Sequence, residues 1–169
     1  MEEIDLNIVL IGMPASGKST VGVILAKVLG MNFVDTDLVI QNREEALLYE
    51  IIESKGVEGF LKCEEEAVLS LDTDNSIIAT GGSVVYSEKG MKHLSENGKV
   101  VYLKVGKDEL FSRLKNINER GVVLRDGESL EEMYDERSVL YEKYAVVEIE
   151  EVNSSIEDTV VKICDSLYK

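Results

Sequence analysis

The chain has 169 residues, a formal net charge of −15, 44% hydrophobic residues and 2 cysteines. That length suits one domain with its own core, the acidic balance argues against a nucleic-acid backbone or an anionic membrane surface as partner, and no apolar run is long enough to cross a bilayer. Met1-Glu2-Glu3-Ile4-Asp5 lacks the basic stretch of a signal peptide, and Cys63 and Cys164 lie far apart with no metal-like spacing, so a reduced, cytoplasmic protein is expected.

Leu6-Asn7-Ile8-Val9-Leu10-Ile11 is a short, mostly apolar run and reads as a central parallel strand. Gly12-Met13-Pro14-Ala15-Ser16-Gly17-Lys18-Ser19-Thr20 follows it and fits G-x-x-x-x-G-K-[S/T], with Gly12, Gly17, Lys18 and Ser19 in the fixed places. Polyphosphate is bulky and negative, so the backbone must wrap it with N–H groups pointing inward, in dihedrals glycine tolerates best. The next helix offers its free N–H groups and the positive end of its dipole. Lys18 adds a mobile charge for the β- and γ-phosphates, and the Ser19 hydroxyl can ligate the Mg²⁺ that travels with the nucleotide. That helix is present in the pattern: Val21, Ile24, Leu25, Val28 and Leu29 recur at helical spacing, and Gly30 stops the run.

Asn32-Phe33-Val34 is a second strand, ending at Asp35-Thr36-Asp37. Helical stretches follow from Leu38 to about Ser54 and from about Val57 to Leu71, separated by Gly56. Residues 76–80 form a third strand that ends at Gly81-Gly82-Ser83, and a helix runs from Ser87, a possible N-cap, to Glu96. Residues 99–103 are a fourth strand, residues 107–116 a helix, and residues 117–128 a charged loop. A helix over 130–144, a fifth strand over 145–149 and a helix over 156–167 complete the chain. Alternation of strand and helix predicts an α/β fold, a three-layer α/β/α sandwich on a five-stranded parallel sheet, as one domain over residues 1–169. Ligands in such folds gather beyond the carboxyl ends of the strands, where the phosphate loop, Asp35, Asp37, Gly81 and Gly82 all fall.

Asp35 and Asp37 suit a division of labour. Phosphoryl transfer needs Mg²⁺ held near the phosphates and a group that orients the attacking hydroxyl and takes its proton. Asp35 is assigned to the metal side, through water, and Asp37 to the acceptor hydroxyl; the alternative is that both only cap the next helix. Gly81-Gly82 either lets backbone N–H groups approach a small substrate or simply makes a turn. The loop 117–128 holds Arg120 and Arg125 and reads as a lid that closes an arginine over the transferring phosphate, or as an ordinary solvated loop. Arg137, in a very acidic helix, reads on local sequence as an exposed ion pair. His93 is expected on the surface, and the cysteines as plain thiols.

Taken together, these residues resemble the shikimate kinase family over nearly the whole chain. Asp35-Thr36-Asp37 is similar to that family's D-x-D, Glu50-Ile51-Ile52 with Gly56 to its E-I-F-x-x-x-G, and Phe60 to Glu64 to its F-R-x-x-E. Thr80-Gly81-Gly82 looks like its T-G-G-G, Arg120 sits where its R-P-L-L begins, and Arg137 to Tyr141 looks like its R-x-P-L-Y. The resemblance implies a nucleoside-monophosphate-kinase-like fold with a lid over about 117–128 and acceptor-binding helices over about 38–71. It implies ATP and Mg²⁺ as cofactors and transfer of the γ-phosphoryl to a ring hydroxyl of shikimate. Gly12, Pro14, Ala15, Ser16, Gly17, Lys18, Ser19 and Thr20 would hold the nucleotide, with Arg113 near the adenine and Ser19 and Asp35 on the metal. Lys18, Asp37 and Arg120 would be catalytic, and Asp37, Leu61, Gly81, Gly82, Ser83 and Arg137 would line the acceptor. A small hydroxylated acceptor is the expected partner, without nucleic acid or membrane, and the protein is expected to be a monomer.

The departures gather in the acceptor half. The arginine of F-R-x-x-E is Leu61, the third glycine of T-G-G-G is Ser83, R-P-L-L reads Arg120-Gly121-Val122-Val123, and the proline of R-x-P-L-Y is Val139. Lys62 adjoins Leu61, but one helical step turns it by about 100°. Loss of a bidentate arginine from an anionic ligand costs roughly 2–5 kcal/mol. The acceptor is therefore shikimate or a related polyol or hydroxy acid. The alternatives are a nucleoside or nucleotide kinase on the same fold, or a nucleotide-binding regulator without catalysis.

Overall fold

The computed structural model describes residues 6–115 and 122–168. Strand β1 (Asn7–Ile11) is buried along its whole length, with Ile8 and Leu10 in the core of one sheet face and Val9 and Ile11 in that of the other. A strand apolar on both faces needs helices on both sides. It pairs in parallel with β3 (Ser76–Ala79) and β4 (Gly98–Val105). Strand β2 (Asn32–Asp35) lies outside β3 and β5 (Val147–Glu151) outside β4, giving the all-parallel order β2-β3-β1-β4-β5.

Helices α1 (Lys18–Leu29) and α7 (Ile156–Leu167) cover the face that carries Ile8, Leu10, Ile77, Val101 and Leu103. Helices α4 (Glu88–Glu96), α5 (Lys107–Lys115) and α6 (Leu130–Tyr144) cover the opposite face. Helices α2 (Thr36–Glu44) and α3 (Leu48–Leu69) pack on each other around a smaller core that includes Ile40, Ile51, Phe60 and Cys63. The α3 axis breaks at Gly56, whose φ of 71° and ψ of 179° no helix contains. The expected three-layer α/β/α sandwich with its five-stranded parallel sheet is therefore present, and the expected separation at Gly56 is a kink.

Helix starts fall where the sequence offers side-chain caps. Ser87 accepts from the Gly90 N–H, and Ser129 with Glu132 and Ser155 with Asp158 form reciprocal boxes. Strand β5 begins two residues later than expected, because the Ala145 N–H still bonds the Tyr141 carbonyl at the end of α6. His93 is half-buried rather than on the surface, with Nε2 2.9 Å from the Leu71 carbonyl. Among the described residues no helix is long and apolar enough to cross a membrane.

With β3 and β4 flanking β1, the connection from β1 to β2 runs through α1 on one face of the sheet and that from β3 to β4 runs through α4 on the other. This opens a crevice at the carboxyl ends of the strands. The segments that follow β1, β2 and β3 meet there.

Candidate active site

The loop from β1 to α1 passes through Gly12 (φ 151°), Ala15 (φ 65°) and Gly17 (φ 91°). A Cβ at Gly12 would stand 2.7 Å from the Leu103 carbonyl oxygen, so only glycine fits there. Helix α1 has no side-chain N-cap, which leaves its first N–H groups and the positive end of its dipole for an anion. Lys18 is buried, and Nζ donates to the Gly12 carbonyl at 2.8 Å, the Met13 carbonyl at 2.7 Å and Ser16 Oγ at 3.2 Å. Burial lowers the Lys18 pKa to about 8, opposed by the nearby charge of Asp37.

Asp35 closes β2 and does two things at once. Its Oδ1 accepts from the Asp37 N–H at 2.9 Å, capping α2, and its Oδ2 accepts from Ser19 Oγ at 3.0 Å, reaching the phosphate loop. The capping reading and the loop-facing reading of Asp35 thus describe one geometry. Ser19 and Asp35 together offer hard oxygen atoms suited to Mg²⁺. Among the described residues no three His, Cys, Asp or Glu side chains cluster as a metal cage. A cation at Ser19 and Asp35 would complete its shell with phosphate oxygens and water, as Mg²⁺ commonly does. Asp37, in the first turn of α2, lines the cleft, and burial followed by the charge of Asp35 raises its pKa.

The far wall comes from the segment after β3, from α3 and from α6. Thr80 Oγ1 donates to the Leu10 carbonyl at 2.8 Å, the Gly81 N–H to Thr36 Oγ1 at 3.3 Å and Tyr141 Oη to the Gly82 carbonyl at 2.5 Å. Three elements thereby fix Gly81 and Gly82 at the cleft. Arg137 is 1% exposed, not the surface ion pair its acidic helix suggests. It donates to the Val123 carbonyl, its Nε lies 3.4 Å from Tyr86 Oη, and it lines the cleft beside Gly82. Ser83 Oγ donates to Glu64 Oε1 at 2.7 Å. Glu64 is also 1% exposed, and burial raises its pKa to about 7.

The cleft so formed holds about 290 Å³ and brings Pro14, Ala15, Gly17, Lys18, Ser19 and Thr20 opposite Asp37, Gly81, Gly82, Ser83 and Arg137. Phe60, Glu64, Thr80 and Val123 also line it and were not singled out as site residues from sequence. The spacing of Phe60 and Glu64, four residues apart on one helix, is the signal that places them on a common face. Leu61 does not line this cleft. It borders an adjoining cavity of about 250 Å³ that shares Glu64 and Ser83, and Lys62 beside it is exposed. Arg113 stands behind the phosphate loop, where Nη1 donates to the Ala15 carbonyl at 3.2 Å and the guanidinium pairs with Glu109 and Glu151. Arg120 lies outside the described residues, as does the first part of the expected lid. In the described remainder, Arg125 pairs with Glu136 at 3.0 Å and lies over the Tyr86 ring.

The family model of shikimate kinase matches residues 14–168. A shikimate kinase of Clostridium botulinum (strain Okra / Type B1) is 38% identical over 167 residues, covering 96% of each chain. The solved shikimate kinase of Aquifex aeolicus superposes with a TM-score of 0.82 at 31% identity and covers 96% of both chains. That of Acinetobacter baumannii, determined in complex with shikimate, gives a TM-score of 0.82 at 29% identity and covers 96% of this chain and 93% of its own.

Proposed function

The chain belongs to the shikimate kinase family, and on that premise we propose that it transfers the γ-phosphoryl of ATP to a ring hydroxyl of shikimate or a closely related hydroxy acid. One observation carries the reading: the phosphate loop with Lys18 and Ser19, the carboxylate of Asp37 and the guanidinium of Arg137 share one cleft.

In this reading the loop 12–20 and the N-terminus of α1 bind the triphosphate. Lys18 leaves its carbonyl partners, all within the loop, and follows the β- and γ-oxygens. Ser19 and Asp35 hold Mg²⁺, which when bound draws negative charge from the transferring phosphoryl group. Asp37 orients the acceptor hydroxyl and takes its proton, a task its raised pKa favours. Gly81 and Gly82 admit the acceptor ring against backbone, and Arg137 pairs with its carboxylate. Arg120 closes on the phosphoryl group from the lid, Arg113 borders the adenine, and Leu61 with Ser83 shapes the outer edge of the acceptor space. The protein works as a cytoplasmic, single-domain monomer.

The test is release of ADP from Mg²⁺-ATP with shikimate, run beside a panel of polyols, hydroxy acids and nucleosides. Saturable turnover on shikimate or a related hydroxy acid is expected. Asp37→Asn should lower kcat by about 10²- to 10⁴-fold while nucleotide binding is retained. A variant that keeps full turnover removes Asp37 from its role.

A further inference from the structure

Glu151 is a buried carboxylate with no part in the chemistry described so far. It closes β5, opposite Val105 of β4, and is 6% exposed. Thr159 Oγ1 donates to its Oε1 at 3.2 Å, and its Oε2 lies 3.6 Å from Arg113 Nη1. The same Nη1 donates to the Ala15 carbonyl at 3.2 Å. One nitrogen thus joins the end of the sheet to the phosphate loop. The other terminal nitrogen, Nη2, pairs at 2.6 Å with Glu109, which is far more exposed than Glu151. Glu151 therefore draws on the nitrogen that reaches the loop, and Glu109 on the one that does not.

Ala15 is the residue of the loop that needs holding. The Ser16 N–H donates to the Met13 carbonyl at 3.1 Å, closing a four-residue turn with Pro14 second and Ala15 third. Ala15 stands there at φ 65°. Proline in the second place and a positive φ in the third mark a type II turn, whose third place favours glycine. Alanine carries a Cβ into this left-handed conformation at a cost, so a bond from outside the turn favours it over relaxed alternatives. Ala15 lines the cleft with Gly17, Lys18 and Ser19, and the orientation of its peptide shapes the wall that faces an anion there.

We propose that Glu151 and Arg113 are positioning residues of the phosphate loop: Glu151 sets the guanidinium, and the guanidinium holds the Ala15 carbonyl so that the loop is shaped for polyphosphate before polyphosphate arrives. Neither residue needs the base of the nucleotide for this. The inference rests on the reading of loop 12–20 as the triphosphate site and adds the residues that keep it in shape. Its sign is distinctive. Removing a negative charge from the surroundings of an anion site ordinarily strengthens anion binding. Removing the charge of Glu151 weakens it, because Arg113 is then released from the loop.

Calorimetric titration with tripolyphosphate and Mg²⁺ at pH 7 tests this, because that probe carries the phosphates and no base. Glu151→Gln should weaken tripolyphosphate binding by about three- to tenfold, the worth of one net hydrogen bond. Arg113→Lys keeps the charge but not the planar fork, and should weaken it by a similar factor. ATP should lose at least as much in both variants, and in turnover the loss should appear in the KM for ATP. Glu109→Gln removes the same charge from the other side of the guanidinium and should bind tripolyphosphate as tightly as the wild type or more tightly. Binding that is unchanged or stronger in Glu151→Gln, unchanged in Arg113→Lys, or equally weakened in Glu109→Gln would overturn the inference, as would a wild type that binds no tripolyphosphate. The measurement needs no acceptor. A wild type that binds tripolyphosphate, loses it in these variants and yet phosphorylates no hydroxylated acceptor would therefore overturn the functional reading and leave this inference standing.

Discussion

At the scale of single residues, Glu64 holds its proton differently in the folded and unfolded chain. Burial raises its pKa from 4.5 to about 7, with a smaller push from the charge of Asp37 and opposition from the Ser83 hydrogen bond, Arg137 and Lys18. The unfolded chain releases this proton near pH 4.5, while the folded chain keeps it to about pH 7. Stability therefore falls as pH rises through that window and is level above it, by about 3 kcal/mol for a displacement of this size. Asp37 contributes with the same sign, because its pKa is also raised. Lys18 acts in a different window: its folded pKa of about 8 lies below 10.5, so its effect is confined to higher pH and runs the other way. Glu64→Gln should flatten the dependence and leave the protein more stable than wild type at pH 8. Denaturant unfolding between pH 5 and pH 8 measures it, and an unchanged slope in the variant would show that the carboxyl group is ionised throughout. The same burial explains why Glu64 goes unnoticed as a functional residue in the sequence. In an α3 that also carries Glu58, Glu65 and Glu66, only the four-residue spacing from Phe60 sets this glutamate apart as a buried one.

At the scale of elements, Asp35 joins the start of α2 to the phosphate loop, and its two oxygens make the two jobs separable. Asparagine caps a helix about as well as aspartate, whereas alanine at an N-cap costs about 1 kcal/mol. Asp35→Asn should melt close to wild type, since the cap to the Asp37 N–H survives. It should lose about 10- to 100-fold in kcat/KM, the usual cost of disturbing a group that orients a metal's ligands. Asp35→Ala should lose both stability and activity. If Asp35→Asn were fully active, the aspartate would be a cap and nothing more. Elements whose signals are consecutive in sequence are legible in it. The phosphate loop sets four fixed positions within residues 12–19, and the capping boxes at Ser129 and Ser155 set helix starts within four residues. Strand β5 is less so, because Ala145-Val146-Val147 looks like a buried central strand, yet Val146 is 69% exposed. As an edge strand β5 turns one face outward, with Ile149 and Glu151 inside and Glu148 and Glu150 outside. The acceptor wall is the least legible part. Ser83, Glu64 and Gly82 meet each other, Arg137 and Tyr141 through packing between segments remote in sequence, and no spacing rule connects them.

At the scale of the whole molecule, 33 acidic residues face 18 basic ones, and the protein works on anions. The buried cations solve this locally. Lys18 and Arg137 lie in the cleft, where low dielectric lengthens the reach of their charge, while the excess carboxylates are spread over a solvated surface. Two salt effects of opposite sign then compete. Exposed ion pairs, such as Lys107 with Glu131 and Asp135, weaken as salt is added, but each is worth only about 0–1 kcal/mol. Repulsion among like charges in a chain of net charge −15 acts over many pairs and over distances comparable to the screening length. That length shrinks from about 30 Å at 10 mM salt to about 10 Å at 100 mM. Repulsion is the larger sum, so screening should stabilise the fold. We expect the melting temperature at pH 8 to rise by about 2–4 °C over that range, equivalent to about 1 kcal/mol in a protein of this size. Most of the change should come at the low end, where the screening length is still longer than the spacing of surface charges. Calorimetric scans in sodium chloride read it directly. A melting temperature that falls with salt would mean that the surface pairs outweigh the self-repulsion, and that the acidic surface is organised as a network rather than as dispersed charge.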